Sequence, residues 1–198
     1  MKNTVFYAAV LLFATLMIAA LPTDAEGEIY SDTIRLHILA ESDSEDDQKI
    51  KLALRDRLLS EYGSELSGEE STHSAEEKIL GLLPEIEEFC ARELRALGAS
   101  GEVKVTLTTE WYDTREYEDF TLPCGYYRSL RVIIGKGEGK NWWCVMYPPL
   151  CLDIATEDAP SDDAVGYTDG EIKLISDRGY NVKFKILETI SRSFRKFG

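Results

Sequence analysis

From Val103 to Trp111 apolar and polar residues alternate without interruption. Val103, Val105, Leu107, Thr109 and Trp111 share one face; Lys104, Thr106, Thr108 and Glu110 share the other. A period of two belongs to a β-strand with one buried face, so an apolar layer must cover the first set. Asp113-Thr114-Arg115 reads as a turn into a second strand near Tyr117 to Leu122, and Pro123-Cys124-Gly125 as the next turn. Leu130, Val132 and Ile134 line one face of a third strand. Consecutive strands joined this tightly pair antiparallel, because parallel neighbours need long crossovers. The segment therefore predicts an antiparallel meander.

Helices are available to cover it. Ile34 to Leu39 (IRLHIL) alternates as a half-buried strand does, and Ser42-Asp43-Ser44-Glu45 then reads as a capping box. Glu45, Asp46 and Asp47 crowd the first turn, where the helix dipole favours negative charge. Ile50, Leu54 and Leu58 recur at helical spacing, with Gly63 as a stop. A second helical pattern carries Ile79, Leu82, Leu83, Ile86, Phe89, Cys90, Leu94 and Leu97 and ends at Gly98; Pro84 inside it predicts a kink or a split. Gly135 to Asn141 reads as a flexible glycine-rich loop, and residues 155–170, rich in Asp, Ala, Gly and Ser, as a flexible stretch. At the C-terminus Phe184, Leu187, Ile190, Phe194 and Phe197 fall on one helical stripe. Five Lys or Arg face one Glu there, so that helix either packs on the sheet or lies on an anionic membrane. The expected fold class is α+β, a single domain over residues 26–198 with an antiparallel β-meander packed against helices.

Ahead of that domain, Lys2 precedes an apolar run from Val5 to Leu21, followed by Pro22, Thr23, Asp24 and Ala25. A positive start, an apolar stretch and small residues make up a secretory signal. The run is also at the lower edge of what crosses a bilayer. Residues 1–25 are thus a signal peptide or an N-terminal membrane anchor. Without them the chain keeps its net charge of −14, because Lys2 and Asp24 leave together. Such a chain repels phosphates, which argues against nucleic acid as a partner. Export places Cys90, Cys124, Cys144 and Cys151 where disulfides persist, and four cysteines allow three pairings. Pro148-Pro149 folds the chain back between Cys144 and Cys151, so Cys144–Cys151 with Cys90–Cys124 is the economical set. Cys90 on an apolar helix face is alternatively a small buried thiol.

Motifs for chemistry are sparse. The Gly135–Asn141 loop lacks the spacing of a phosphate-binding loop, and Asn141 stands where Ser or Thr should follow Lys140. His37, on a strand, and His73, in a polar loop, have no second metal ligand at the usual spacing. Asp43 and Glu45 are better read as helix-start residues than as a catalytic pair. What stands out is Trp142, Trp143 and Tyr147 beside Pro148-Pro149, since such rings anchor protein interfaces. Neighbouring side chains on a strand point to opposite faces, so the two tryptophans should not enter the same layer.

Three blocks resemble the stage II sporulation protein R family: IRLHILAESDSEDDQKIKLALRD (34–56), LPCGYYRSLRVIIGKGEGKNWWCVMYPPLC (122–151) and VKFKILE (182–188). The chain departs from the family's pattern at Cys124, where Ala is usual, at Glu41, where Asn is usual, and at Cys90, which is extra. The resemblance implies a non-enzymatic signalling protein with no catalytic residues and no cofactor. It would be secreted from the forespore into the space between the forespore and mother-cell membranes. Its partner would be a membrane-embedded aspartic protease of the mother cell, which cleaves a sigma-factor precursor. Membrane contact through residues 5–21 or the basic C-terminal helix would be compatible with that role. The docking surface would comprise Arg35, Gly137, Gly139, Asn141, Trp142, Trp143, Tyr147, Pro148 and Pro149. An exported cell-envelope hydrolase or a structural envelope protein is the alternative.

Overall fold

The strand that organises the molecule is β1 (Ile34–Leu39), and every one of its six residues is buried. It lies between β5 (Gly125–Ile134) and β6 (Asn141–Tyr147) in a four-stranded sheet of order β2-β5-β1-β6, with β2 spanning Val103–Tyr112. β1 runs parallel to β5, with Leu36 opposite Leu130, and antiparallel to β6, with Leu36 opposite Cys144. This computed structural model describes residues 2–19, 24–67, 69–99, 101–117, 120–148, 167–176, 183–185, 187–189 and 192.

The mixed helix-and-sheet class is as expected, but the pairing is not a simple meander. β5 and β6, consecutive in the chain, do not touch; β1 occupies the place between them. The connection over residues 135–140 spans two strand spacings, about 9–10 Å, within the reach of six residues. The expected second strand is reduced to a separate two-stranded ladder of β3 (Arg115–Glu116) and β4 (Thr121–Leu122).

The chain divides into two compact units. In the larger, Ile29–Trp111 with Tyr126–Thr168, the sheet is apolar on one side: Ile34, Leu36, Ile38, Val105, Leu130, Val132, Ile134 and Met146 join one core cluster with Leu54, Leu58, Ile79, Ile86 and Phe89 of the helices. Those helices are α3 (Glu45–Ser67) and α4 (Thr72–Ala96). α3 starts where Ser44 caps it, the Asp47 N–H donating to Ser44 Oγ at 3.1 Å, so the cap is Ser44 rather than Ser42. It runs through Gly63 instead of stopping there. α4 is likewise one helix across Pro84, because the ring sits on the exposed side while Ala75, Ile79, Ile86, Phe89, Cys90 and Leu94 stay on one buried stripe. Ser71 and Ser74 form its capping box, and Gly98 at φ 81 follows its end, a conformation glycine adopts without a Cβ clash. His73 falls in the first turn of this helix rather than in a loop.

The smaller unit, Met1–Glu28 with Tyr112–Gly125 and Asp169–Gly198, contains α1 (Lys2–Ala19), the β3/β4 ladder and α5 (Asp169–Ser176). Val5, Phe6, Tyr7, Leu11, Leu12 and Phe13 of α1 are exposed. Among the described residues no helix is long and apolar enough to cross a membrane. The short helix α2 (Asp24–Ser31) follows, across the expected processing point. Phe184 of the basic C-terminal segment is fully buried and its carbonyl lies 3.7 Å from Cys124 Sγ. Lys185 pairs with Glu116, and Arg192 with Asp113 and Glu188, so these charges meet acidic residues of the same unit. Ile190, Phe194 and Phe197 of the expected stripe lie outside the described residues, as do residues 155–166. Tyr167, from the end of the stretch expected to be flexible, is instead held: its hydroxyl is 2.6 Å from that of buried Thr33.

The expected Cys90–Cys124 disulfide is absent; both are free, buried thiols. Cys90 is a small apolar residue of the α4 core stripe, and burial, aided by the charges of Glu87 and Glu93, pushes its pKa up to about 12. Burial also raises Cys124. Only about one Cys90 in ten thousand would be a thiolate at pH 8, so native protein should leave both thiols unlabelled by Ellman's reagent, with two appearing on denaturation. Rapid native labelling would show that α4 opens locally.

Candidate functional site

The glycine loop between β5 and β6 folds onto the turn between β1 and α3. The Gly139 N–H donates to the Ala40 carbonyl at 2.9 Å, Glu138 N–H to the Glu41 carbonyl at 3.2 Å, and Lys140 N–H to Asp43 Oδ1 at 2.6 Å. From α3, the Lys51 ammonium donates to the Lys140 carbonyl at 3.0 Å and to Gln48 at 2.6 Å. Lys51 is buried, and desolvation lowers its pKa even though Asp43 opposes the shift. The loop expected to be flexible is thus a seam. Its glycines have steric reasons: a Cβ on Gly139 would stand 2.3 Å from the Ser42 carbonyl oxygen, and one on Gly137, at φ 64, 2.7 Å from the Ile133 side chain. Asp43, a helix-start residue in the sequence, holds the loop.

The sheet face turned away from the helices is charged. His37 Nδ1 lies 2.8 Å from Glu110 Oε2, and Arg131 Nε 3.2 Å from Glu110 Oε1. The Trp143 ring lies beside His37, centroids 5.6 Å apart. Burial alone would raise the Glu110 carboxyl; the hydrogen bond and charge of His37, the charge of Arg131 and a hydrogen bond from Ser129 outweigh it and hold the group below its usual 4.5. A depressed folded-state pKa stabilises the fold above the unfolded value and loses that contribution as pH falls through the folded one. The stability gap between wild type and Glu110→Gln should therefore be full above pH 4.5 and close below it, read from urea midpoints across the acid range. A gap independent of pH would mean that Glu110 contributes packing alone.

The residues expected to dock a partner separate into two groups. Arg35 is fully buried, its guanidinium 5.2 Å from the Tyr127 ring, so it is an interior residue and not a surface one. Tyr147 is buried with its hydroxyl donating to the Glu69 carbonyl at 3.2 Å, and Pro148, after a cis bond, is buried as well. Pro149 and Cys151 lie outside the described residues; Cys144 is disulfide-bonded. Exposure remains at Lys136, Glu138, Lys140 and Asn141, with Trp142 and Trp143 half-buried. The two tryptophans take opposite faces, as strand geometry requires: Trp142 packs on the core cluster under Arg55, 4.9 Å from its ring, and Trp143 joins the charged face. Lys51 was the functional residue missed, although its helical spacing with Leu54 and Leu58 placed it on the buried stripe. Among the described residues no group of three or more His, Cys, Asp or Glu is disposed to hold a metal ion.

Fold and site define a mixed helix-and-sheet protein in which a glycine loop, a helix-start turn and paired tryptophans are locked together at one end of the sheet. The family model for stage II sporulation protein R matches residues 30–157. Stage II sporulation protein R of Bacillus subtilis (strain 168) is 35% identical over 132 residues, covering 66% of this chain and 59% of that protein. The chain belongs to the stage II sporulation protein R family, and its role is in sporulation. The match takes in the first two blocks singled out in the sequence and stops short of the third, at 182–188. No solved structure matches.

Proposed function

We propose that this chain is an exported intercellular signal of sporulation. It is made in the forespore, crosses into the space between the two membranes, and activates a membrane-embedded aspartic protease of the mother cell by binding it. The activated protease then processes a sigma-factor precursor. The observation that carries this reading is the seam. The two family-like blocks, far apart in sequence, meet where turn 40–43 is bonded to residues 138–140, and Asn141, Trp142 and Trp143 lead out of that joint. The docking surface is accordingly Lys136, Glu138, Lys140, Asn141 and Trp143, with Arg35, Gly137, Gly139, Tyr147 and Pro148 supporting it from within. A Cys144–Cys151 disulfide fixes the far end of the aromatic segment.

Co-expression of this chain, the protease and the sigma precursor in a non-sporulating host tests the reading. Precursor cleavage is expected only when all three are present; cleavage without the protease would remove the partner assignment. Mass spectrometry of the exported chain should find a mature N-terminus after Ala25. A chain retained in the membrane and beginning at Met1 would replace the signal peptide with an anchor.

A further inference from the structure

β2 closes one side of the sheet: β5 lies along one of its edges, and among the described residues no strand lies along the other. Backbone groups alternate between the two edges of a strand. The Gly135 N–H of β5's end donates to the Glu102 carbonyl at 2.7 Å, so even-numbered residues turn toward β5. The Val105 N–H turns the other way and donates to Glu87 Oε2 of α4 at 2.8 Å. Odd-numbered residues therefore direct N–H and C=O outward, and Glu87 covers one of these donors. Leu107 and Thr109 follow on the same edge, with the Thr109 side exposed. A groove lined by Pro84, Glu87, Ala91, Ala99 and Val103 borders the start of the edge, between α4 and β2. β6, which carries Trp143, is the opposite end of the sheet.

We propose that this edge pairs with the same edge of a second copy of the chain, the two β2 strands running antiparallel about a two-fold axis at Leu107. Charge complementarity selects the occupant and the register. Only with the axis at Leu107 does Lys104 stand opposite Glu110 of the second copy, and the two-fold makes that pair twice. The same register sets Thr106 opposite Thr108 and Val105 opposite Thr109. It also brings Trp111 of the second copy opposite Val103, where the groove along α4 lies. Glu110 already faces His37 and Arg131, and a carboxylate has acceptor sites left for Lys104 of the second copy. Each copy carries −14, but physiological salt screens that repulsion beyond about 8 Å. Pairing displaces Glu87 from the Val105 N–H, which makes Glu87 a guard on the edge. The dimer leaves both β6 strands, and so both proposed docking segments, free.

The test is cross-linking of full-length chains, an equal mixture of Thr106→Cys and Thr108→Cys oxidised mildly and separated without reductant. Residues opposed in a non-hydrogen-bonded antiparallel pair have Cα atoms about 4.5 Å apart, close enough for a disulfide. Cys90 and Cys124 are buried and do not compete. A covalent dimer is expected from the mixture and not from either variant alone. Added to both chains, Lys104→Glu turns the two cross-strand attractions into repulsions and should weaken association by about tenfold. Thr109→Pro removes an outward N–H, leaves the ladder to β5 intact, and should abolish the dimer at unchanged Tm. Glu87→Ala uncovers the Val105 N–H and should strengthen association by about threefold. No dimer from the mixture, equal dimer from the single variants, or a dimer indifferent to both Lys104→Glu and Thr109→Pro would overturn the proposal.

Discussion

Replacing Gly139 by alanine is expected to lower the unfolding free energy by about 2–3 kcal/mol. The new Cβ would meet Ser42 backbone atoms at 2.3 and 2.6 Å, and backbone cannot swing aside as a side chain can. Relief requires the loop to lift off the turn, which breaks the bonds of residues 138–140 to 40–43 together. It also withdraws the Lys140 carbonyl from the buried Lys51 ammonium. Leaving one partner of a buried charged hydrogen bond unpaired is the expensive case. Urea midpoints at unchanged slope measure the loss. Lys136→Ala, on an exposed loop residue, should stay within about 0.5 kcal/mol of wild type. A Gly139→Ala chain as stable as wild type would mean that loop and turn do not approach this closely.

Trp143→Ala should reduce precursor processing in the reconstituted host by about thirtyfold or more while the protein still folds and is exported. Loss of an aromatic interface anchor costs about 2 kcal/mol or more, and that energy corresponds to about thirtyfold in binding. Trp143 is the tryptophan to choose because its ring joins the charged face, whereas Trp142 supports the core beneath Arg55. Trp142→Ala should therefore show first as a lowered Tm. Binding shifts a protease toward its active state only by as much as it prefers that state, so a lost anchor reads directly as lost activation. Folded, exported Trp143→Ala protein with full activity would move the docking surface off this face.

Local chemistry was legible and long-range placement was not. The two long helices and the strands β1, β2 and β5 follow from periodicity, and the opposed faces of Trp142 and Trp143 follow from strand geometry alone. Nothing within residues 34–39, however, says that Arg35 and His37 will be interior. That depends on Tyr127, Glu110, Arg131 and Trp143, which reach β1 only through the sheet. Gly63 and Pro84 misled for one reason: each is a helix breaker by propensity, and each is carried by a helix whose buried stripe outweighs it. The glycine loop misled in the other direction. Glycine reads as freedom in a sequence, yet Gly139 serves close approach, and the Ser42 carbonyl that demands it lies nearly a hundred residues away.

The central position of β1 also sets an order of events for the growing chain. Ile34 is made early, but its cross-strand neighbours Arg128 and Tyr147 follow only 94 and 113 residues later. Until then a strand built to be paired on both edges has neither partner. Contacts so distant in sequence slow folding, because a large loop must close before any ladder bond forms. α3 and α4, whose stabilising contacts are nearer in sequence, are able to assemble first and shelter the apolar side of β1 while it waits. Completion of the sheet is therefore tied to the arrival of residues 141–147, and a nascent chain ending before them holds an open strand edge prone to the wrong neighbour.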